Sequence, residues 1–339
     1  MNDNCAVNKS GTYAVGIDVG GTNIRAGVIT REGEMLSEGH RPALAMEGAE
    51  VTQRMICEAA EEAIEKAGVA KSELMGIGMG VPGRHDSARG IVLYSPNFAG
   101  YWENVQLTAP IAKYFNCGVY MKNDVKTASM GEYYFGSGKG YNFIVMITLG
   151  TGIGGSLIYD GKLMLGSGEG FAEVGHHTVD PNGRLCGCGN HGCWEAMANR
   201  DAIIERAWRA VQTGRETMIA DMVKYDLDKI TPALIAEAAN KGDMVAKEVF
   251  EETAYWVGIG VANLIQLYNP QIFIIGGGIA QAGELIFPTI RRTANWRGKM
   301  VPSTDVKIVQ SALGDDAGIF GGAVLVFEEA NSRNKQCKV

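Results

Sequence analysis

The chain has 339 residues, enough for two compact domains, and its hydrophobic (46%) and charged (20%) fractions exclude a disordered or fibrous protein. A formal net charge of −7, without a cluster of Lys and Arg, argues against a nucleic-acid partner. Glycine accounts for 46 residues, about twice the usual share, so the glycine-rich segments require a local explanation.

Two features bear on where the protein resides. The N-terminal ten residues lack the apolar core of a signal peptide, so we expect a cytoplasmic protein. An uncharged stretch from Ala254 to Gly283 has the length of a membrane span, but polar residues and three consecutive glycines interrupt it. We predict a buried helix and a buried strand there, and no membrane contact.

The first ordered segment predicts a β-hairpin with a glycine-rich turn. Residues 13–29 alternate apolar with small or polar residues around Gly20-Gly21-Thr22. Residues 147–158 repeat this pattern, and each copy leads into a turn and a short apolar segment. We therefore predict a duplicated chain whose two halves each open with a strand, a glycine turn and a strand.

Helices and strands alternate in the rest of the chain. The spacing of apolar residues predicts a helix over 51–67, mostly helical structure over 196–268 and a final helix after Gly318. Further strands are predicted at 75–81, 119–121 and 272–275. This alternation is typical of an α/β fold.

The glycine turns predict nucleotide binding. Gly150 to Gly155 satisfies G-x-G-x-x-G, but a strand rather than a helix should follow, which disfavours a Rossmann oxidoreductase, and no Walker A loop is present. Glycine turns can offer backbone N–H groups to phosphates, and Asp18 could supply a carboxylate for Mg²⁺. Purely structural turns are the alternative. The predicted nucleotide-site residues are Asp18, Gly20, Gly21, Thr22, Asn23, Thr151, Gly152, Gly277 and Gly278.

Three cysteines within eight residues, Cys186, Cys188 and Cys193, predict a metal site. Three thiolates and one imidazole would complete a tetrahedral zinc site with no open position, which makes the site structural. Unliganded thiols in a surface loop are the alternative. The candidates for the imidazole ligand are His176, His177 and His191.

Two glutamates flank the cysteine cluster. Glu173 lies three residues before His176, and Glu195 lies two residues after Cys193, so a bound metal would fix both carboxylates. Paired carboxylates can hydrolyse glycosides or accept hydrogen bonds from a polyol. Because phosphate-binding turns are predicted in the same chain, polyol binding is a better interpretation than glycoside hydrolysis.

A third carboxylate, Asp124, follows a predicted strand in the pair Asn123-Asp124. Sites of α/β folds lie at the carboxyl ends of strands. An Asn-Asp pair on its own is more often a turn or a helix cap, but in this context Asp124 is the candidate base.

Together these motifs resemble the ROK family of repressors, open reading frames and sugar kinases, and within it the bacterial glucokinases, from about Tyr13 to Glu329. The specific part is Glu173-Val-Gly-His176 followed by Cys186-x-Cys188-Gly-x-x-Gly-Cys193-x-Glu195. The resemblance implies a duplicated two-domain actin-like ATPase (ribonuclease H-like) fold with a cleft between the lobes. We place the domains at 1–122, at 123–312 with the zinc loop, and at 313–339 as a helix returning to the first domain.

The resemblance further implies ATP- and Mg²⁺-dependent transfer of the γ-phosphate to the 6-hydroxyl of glucose, a structural zinc, and a homodimer or homotetramer. Asp124 would be the base. The implied sugar contacts are Asn97, Asn123, Glu173, His176 and Glu195. The implied metal ligands are His176, Cys186, Cys188 and Cys193.

Some features depart from the family pattern or leave alternatives open. Val125 and Lys126 stand where glucokinases usually have small residues, and His177 doubles the histidine. Fructose, mannose, allose or N-acetylmannosamine could replace glucose, and polyphosphate could replace ATP. A sugar-responsive repressor of the family is disfavoured, because twelve residues before Tyr13 are too few for a DNA-binding helix-turn-helix.

Overall fold

The structure is a computed structural model that describes residues 11–95, 98 and 102–336. The strands are β1 (Tyr13–Val19), β2 (Asn23–Thr30), β3 (Met35–Pro42), β4 (Leu74–Val81), β5 (Arg84–Asp86), β6 (Ile91–Ser95), β7 (Trp102–Gln106), β8 (Val119–Asn123), β9 (Phe143–Leu149), β10 (Ile153–Tyr159), β11 (Lys162–Leu163), β12 (Ile272–Gly276) and β13 (Lys307–Gln310). The helices are α1 (Ala49–Ala67), α2 (Thr108–Phe115), α3 (Asp124–Phe135), α4 (Trp194–Ala198), α5 (Arg200–Gln212), α6 (Met218–Met222), α7 (Pro232–Asn240), α8 (Met244–Tyr268), α9 (Phe287–Arg297) and α10 (Ala317–Gln336). The predicted helices and strands are all present, with bounds shifted by a few residues.

The chain divides into two compact units. Unit 1 comprises Met1–Gly140, Ser156–Phe171 and Ala312–Val339, and unit 2 comprises Tyr141–Gly155 and Ala172–Ser311. This division differs from the predicted bounds, which end the first domain at residue 122. The physical reason is that helix α3 packs along α10 and against β4, so it belongs with the N-terminal sheet.

Unit 1 is built on a five-stranded sheet in the order β3-β2-β1-β4-β8. Strands β1 and β2 form the predicted antiparallel hairpin, and β4 and β8 add in parallel to β1. Every residue of β4 is buried, as expected for a strand covered on both faces. Strands β5, β6 and β7 form a separate antiparallel sheet.

A second sheet repeats this plan in the order β11-β10-β9-β12-β13. Strands β9 and β10 correspond to the first hairpin, and β12 and β13 again add in parallel. The repeated strand order confirms the predicted duplication of the chain. Strand β10 also confirms that a strand, not a helix, follows the G-x-G-x-x-G segment, so the motif is not a Rossmann fingerprint.

Helix α8 explains the uncharged stretch noted in the sequence. It begins at the N-cap Asp243, whose side chain accepts a hydrogen bond from Ala246 N at 2.8 Å, and it ends at Asn269 in the left-handed conformation. Most of its apolar residues are buried among other helices of unit 2, and β12 follows as predicted. Among the described residues, no helix has the length and apolar character needed to cross a membrane.

Helix α10 packs against the sheet of unit 1 with its backbone touching the strands. A Cβ atom at Gly16 of β1 would lie 1.8 Å from the carbonyl oxygen of Ile319, and one at Gly78 of β4 would lie 1.9 Å from that of Gly322. Glycine therefore permits an approach that a side chain would prevent. This contact brings the start of α10 to the carboxyl ends of β1 and β4.

Helices α3 and α10 approach each other in the same way. A Cβ atom at Gly131 would lie 2.4 Å from the carbonyl oxygen of Ala317, and one at Gly321 would lie 1.8 Å from that of Thr127. Much of the high glycine content therefore serves close packing in this unit rather than turns.

We expect Gly78→Ala to lower the free energy of unfolding by about 3 kcal/mol or more, because the new methyl group must displace the backbone of α10. Chemical denaturation would measure this change. Gly170→Ala is the matched control in unit 1, since its Cβ would meet nothing nearer than the carbonyl oxygen of Ser167 at 3.7 Å. Equal unfolding free energies for the two variants would contradict the expectation.

Candidate functional site

Two predicted site carboxylates lie at one edge of the sheet of unit 1. Asp18 pairs with Gly80 near the end of β1, and Asp124 is the first residue of α3, directly after β8. Strands β1, β4 and β8 run in parallel, so their carboxyl ends meet at this edge. Burial and, after it, the nearby Asp124 carboxylate raise the pKa of Asp18 to about 7.

Arg25 opposes this accumulation of negative charge. Its guanidinium donates to the carboxylates of Glu38 and Asp316 and to the carbonyl oxygen of Asp315, and its charge lowers the pKa of Asp18. The same bonds tie the segment before α10 to β2. The sequence carries no signal for this role of Arg25, because Asp315 and Asp316 lie about 290 residues away.

The surroundings of Asp18 fit the predicted divalent cation. Its raised pKa reflects desolvation and repulsion by Asp124, and a bound cation would relieve both. The adjoining turn also fits a phosphate group, since Gly21, Thr22 and Asn23 are exposed at the hairpin tip. The roles of Asp18 in binding a cation and of this turn in binding phosphate remain predictions.

The glycine loops of unit 2 lie side by side. The turn between β9 and β10 contains Thr151 and Gly152, and Gly277 follows β12 with a φ of 85°. A Cβ atom at Gly277 would lie 2.4 Å from the carbonyl oxygen of Leu149, so the loop after β12 packs on the end of β9. Gly278 begins the short 3₁₀ segment that follows.

Three thiols and one imidazole come together in unit 2. The sulfur atoms of Cys186, Cys188 and Cys193 and a ring nitrogen of His176 all lie within 4.8 Å of one another. Cys188 Sγ lies 3.6 Å from Cys193 Sγ, and Cys186 Sγ lies 3.7 Å from His176 Nδ1. Tetrahedral zinc with its usual bond lengths separates its ligands by about 3.5–3.8 Å, so the four residues fit zinc.

The other two candidate histidines face elsewhere. The ring nitrogens of His177 lie near the carbonyl oxygen of Val174 and the side chain of Asn263, and His191 Nδ1 lies 3.2 Å from the carbonyl oxygen of Gly183. The alternatives His177 and His191 are therefore wrong for this cluster. Hydrogen bonding from the backbone of Asn190 lowers the pKa of the Cys188 thiol to about 7, which favours the thiolate that zinc requires.

The cysteine loop is seated on α8 through a tryptophan. Trp194 is fully buried, and its Nε1 donates to the carbonyl oxygen of Trp256 at 2.9 Å. Gly260 of α8 leaves room for the indole ring, because a Cβ there would lie 2.0 Å from it. The predicted metal loop therefore rests on a rigid helix.

Glu195 joins the cysteine cluster to the second glycine hairpin. Its Oε2 accepts a hydrogen bond from Ile153 N at 2.9 Å, and Cys186 Sγ lies 3.9 Å from its Oε1. A Cβ at Gly152 would lie 2.4 Å from the same carboxylate. The sequence does not predict this contact, because it joins residues 42 positions apart.

The segment with Glu173 also packs on this hairpin. Glu173 is exposed and precedes the 3₁₀ turn Val174–His176. A Cβ at Gly175 would lie 2.2 Å from the carbonyl oxygen of Ile153. In unit 2 the predicted sugar carboxylates, the metal ligands and one phosphate-type turn thus form a single connected group.

Of the two remaining predicted sugar contacts, Asn123 and Asn97, the structure describes only Asn123. Asn123 caps α3: its Oδ1 accepts from Val125 N at 3.1 Å and from Lys126 N at 3.3 Å, and its Nδ2 donates to Gly83 O at 3.4 Å. The side chain therefore positions Asp124 at the start of the helix, whatever else it binds. Asn97 lies outside the described residues.

The raised pKa of Asp18 predicts how stability changes with pH. Between its usual pKa of 3.8 and about 7, folded Asp18 keeps a proton that the unfolded chain releases. In metal-free buffer the free energy of unfolding should therefore fall as pH rises through this range, and Asp18→Asn should show a smaller fall. Urea denaturation at a series of pH values, with a chelator present, measures both. Identical profiles would contradict the assignment.

Comparison with known proteins identifies the family. The model of the ROK family matches residues 14–329. A glucokinase of Thermotoga maritima is 36% identical over 320 residues, covering 93% of this chain and 97% of that protein. A xylose repressor of Caldicellulosiruptor bescii is 32% identical, covering 95% of this chain and 80% of the repressor. The crystal structure of a ROK family glucokinase from Streptomyces griseus with glucose and AMPPNP is 35% identical, with a TM-score of 0.82 over 93% of this chain and 99% of that one. The chain belongs to the ROK family and has its actin-like ATPase fold.

Proposed function

We propose that the protein is an ATP-dependent glucokinase that transfers the γ-phosphate of ATP to the 6-hydroxyl of glucose. The observation that carries this proposal is the pair Asp18 and Asp124, a carboxylate of the type that holds Mg²⁺ beside one that can accept a proton. The likeness to the Streptomyces griseus glucokinase, which binds glucose and AMPPNP, supports it over nearly the whole chain.

Phosphoryl transfer depends mainly on alignment and on neutralising charge, since its transition state is loose. Asp124 accepts the proton of the attacking hydroxyl and, held at the first turn of α3 by the Asn123 cap, orients that hydroxyl. Asp18 holds Mg²⁺, which neutralises phosphate charge when bound. The exposed glycine turns cradle phosphate oxygens with backbone N–H groups.

Glu173, His176 and Glu195 hold the hexose. Each hydrogen bond from a sugar hydroxyl to a carboxylate contributes about 1.5–3 kcal/mol, and a stereoisomer that leaves one carboxylate unpaired loses about that much. The two glutamates are thus the main source of selectivity among hexoses. The bond from Ile153 N to Glu195 keeps that carboxylate oriented.

Zinc held by His176 and the three cysteines has a structural role. The four residues would supply all the ligands of a tetrahedral zinc ion and leave no position for a reacting water. The cluster lies against Glu195 through Cys186, so it fixes a sugar-binding group.

Assay of the purified protein with ATP, Mg²⁺ and glucose tests the proposal. Formation of glucose 6-phosphate, identified by NMR, is the expected result. A panel of fructose, mannose, allose and N-acetylmannosamine, with ADP release as the readout, ranks the alternatives. Absence of turnover with every hexose would overturn the kinase assignment.

We expect Asp124→Asn to lower kcat by about 10²- to 10⁴-fold, because the amide cannot accept the hydroxyl proton. The glucose KM should change by less than about threefold, since Asp124 contributes mainly in the transition state. Steady-state kinetics measure both. Asp201→Asn, an exposed carboxylate paired with Arg200 in α5, is the control. Unchanged kcat in the Asp124 variant would remove it from the base role.

Cys188→Ser should lose zinc and raise the glucose KM by about tenfold or more, because the loop that orients Glu195 loosens. Metal analysis per chain and steady-state kinetics provide the two readouts. Cys57→Ser, on α1 of unit 1 and not a member of the cluster, should alter neither. A normal glucose KM in a zinc-free Cys188 variant would separate the cluster from sugar binding.

A sugar-responsive regulator is the second candidate, because the Caldicellulosiruptor bescii xylose repressor is 32% identical to this chain. A regulator of this kind binds a sugar and DNA without transferring phosphate. Turnover assays and a gel shift at physiological salt distinguish the two functions.

A further inference from the structure

A buried lysine beside the candidate base contacts the loop that precedes Glu173. Lys126 is 3% exposed and lies two residues after Asp124. Its Nζ donates to the carbonyl oxygen of Glu169 at 2.5 Å. Burying an ammonium group costs free energy that an apolar side chain would avoid. The lysine therefore has a role beyond filling space.

A second residue holds the same glutamate. Ser87, directly after β5, donates from Oγ to Glu169 Oε2 at 2.7 Å and from its backbone N to Oε1 at 3.3 Å. Glu169 is half-buried, whereas residues 166–168 and Gly170 are exposed. Two elements of unit 1, α3 and the turn after β5, thus fasten an exposed loop at Glu169.

The imidazole of His85 adds no charge to this cluster at neutral pH. His85 is buried, and burial lowers its pKa to about 4. The neighbouring charges of Lys126 and Glu169 act on its pKa in opposite directions. The Nζ of Lys126 is therefore the charged group of α3 that contacts Glu169, at the backbone carbonyl oxygen of that residue.

The fastened segment has a strained backbone. Glu169 and Ala172 adopt φ values of 58° and 68°, a left-handed conformation that side chains other than glycine disfavour. Such conformations persist only where surrounding contacts enforce them. Glu173 follows Ala172 directly, so this segment sets the path of the chain into the predicted sugar ligand.

We propose that Lys126, Ser87 and Glu169 form a strap that holds residues 166–172 in the conformation that presents Glu173 to the hexose. The proposal rests on the proposed function, in which Glu173 binds the sugar. Without the strap, hexose binding must order the segment, so affinity falls. Once the hexose is bound, Asp124 acts as before, so kcat is preserved. Lys126 and Ser87 are positioning residues.

Amide hydrogen exchange without substrate tests the strap itself. We expect faster exchange over residues 166–173 in Lys126→Met and in Ser87→Ala than in the wild type. Ser129→Ala is the matched control: it removes a buried hydroxyl on the same helix, which hydrogen-bonds Ser156 Oγ at 2.7 Å and the backbone carbonyl of Lys126 at 2.9 Å, and it leaves the side-chain contacts of the strap in place. Unchanged exchange in both strap variants would overturn the proposal.

Kinetics test the positioning role. We expect Lys126→Met to raise the glucose KM about tenfold, with kcat and the ATP KM within about twofold of wild type. Ser87→Ala should shift the glucose KM in the same direction by a smaller factor, and it replaces Lys126→Met if that variant does not fold. A fall in kcat without a rise in glucose KM would contradict the positioning role. If the wild type phosphorylates no hexose, the proposed function fails, and hydrogen exchange still decides whether the strap holds the loop.

Discussion

The contact of α10 with β1, β4 and α3, made backbone against backbone, is the constraint on which unit 1 depends. Gly16, Gly78, Gly131 and Gly321 permit it, since a Cβ at any of them would overlap another main chain. The contact also fixes the start of α10 beside Asp18, where a Cβ at Gly318 would lie 2.7 Å from the carboxylate carbon. The same sheet edge carries Asp18 and Asp124, whose mutual repulsion a bound cation would relieve.

A buried carboxylate strengthens the same arrangement. Glu132 of α3 is fully buried and accepts hydrogen bonds from the backbone N–H groups of Ser137 and Leu313, each at 2.7 Å, and from that of Ala312 at 3.3 Å. Charge-assisted bonds of this kind compensate for the burial of the charge. The parts of unit 1 next to its boundaries at Gly140 and Ala312 are thus fastened to one helix.

In unit 2, a different set of contacts positions the predicted site residues. Its cysteine loop rests on α8 through Trp194, and the cluster lies against Glu195, which in turn binds the backbone N–H of Ile153 in the second hairpin. The predicted metal ligands, the predicted sugar ligand Glu195 and the second glycine turn therefore form one hydrogen-bonded series.

The sequence by itself determined the local features of this protein. Alternating and helical periodicities and the glycine turns predicted the elements and the duplication, and the spacing of Cys186, Cys188 and Cys193 predicted a metal site, because each signal lies within a few residues. Tertiary structure alone decided that α3 belongs with the first sheet, and that Glu195 binds Ile153 and Lys126 binds Glu169. Those contacts join residues that lie tens of positions apart in the chain. Patterns within short sequence windows do not indicate which distant residues meet.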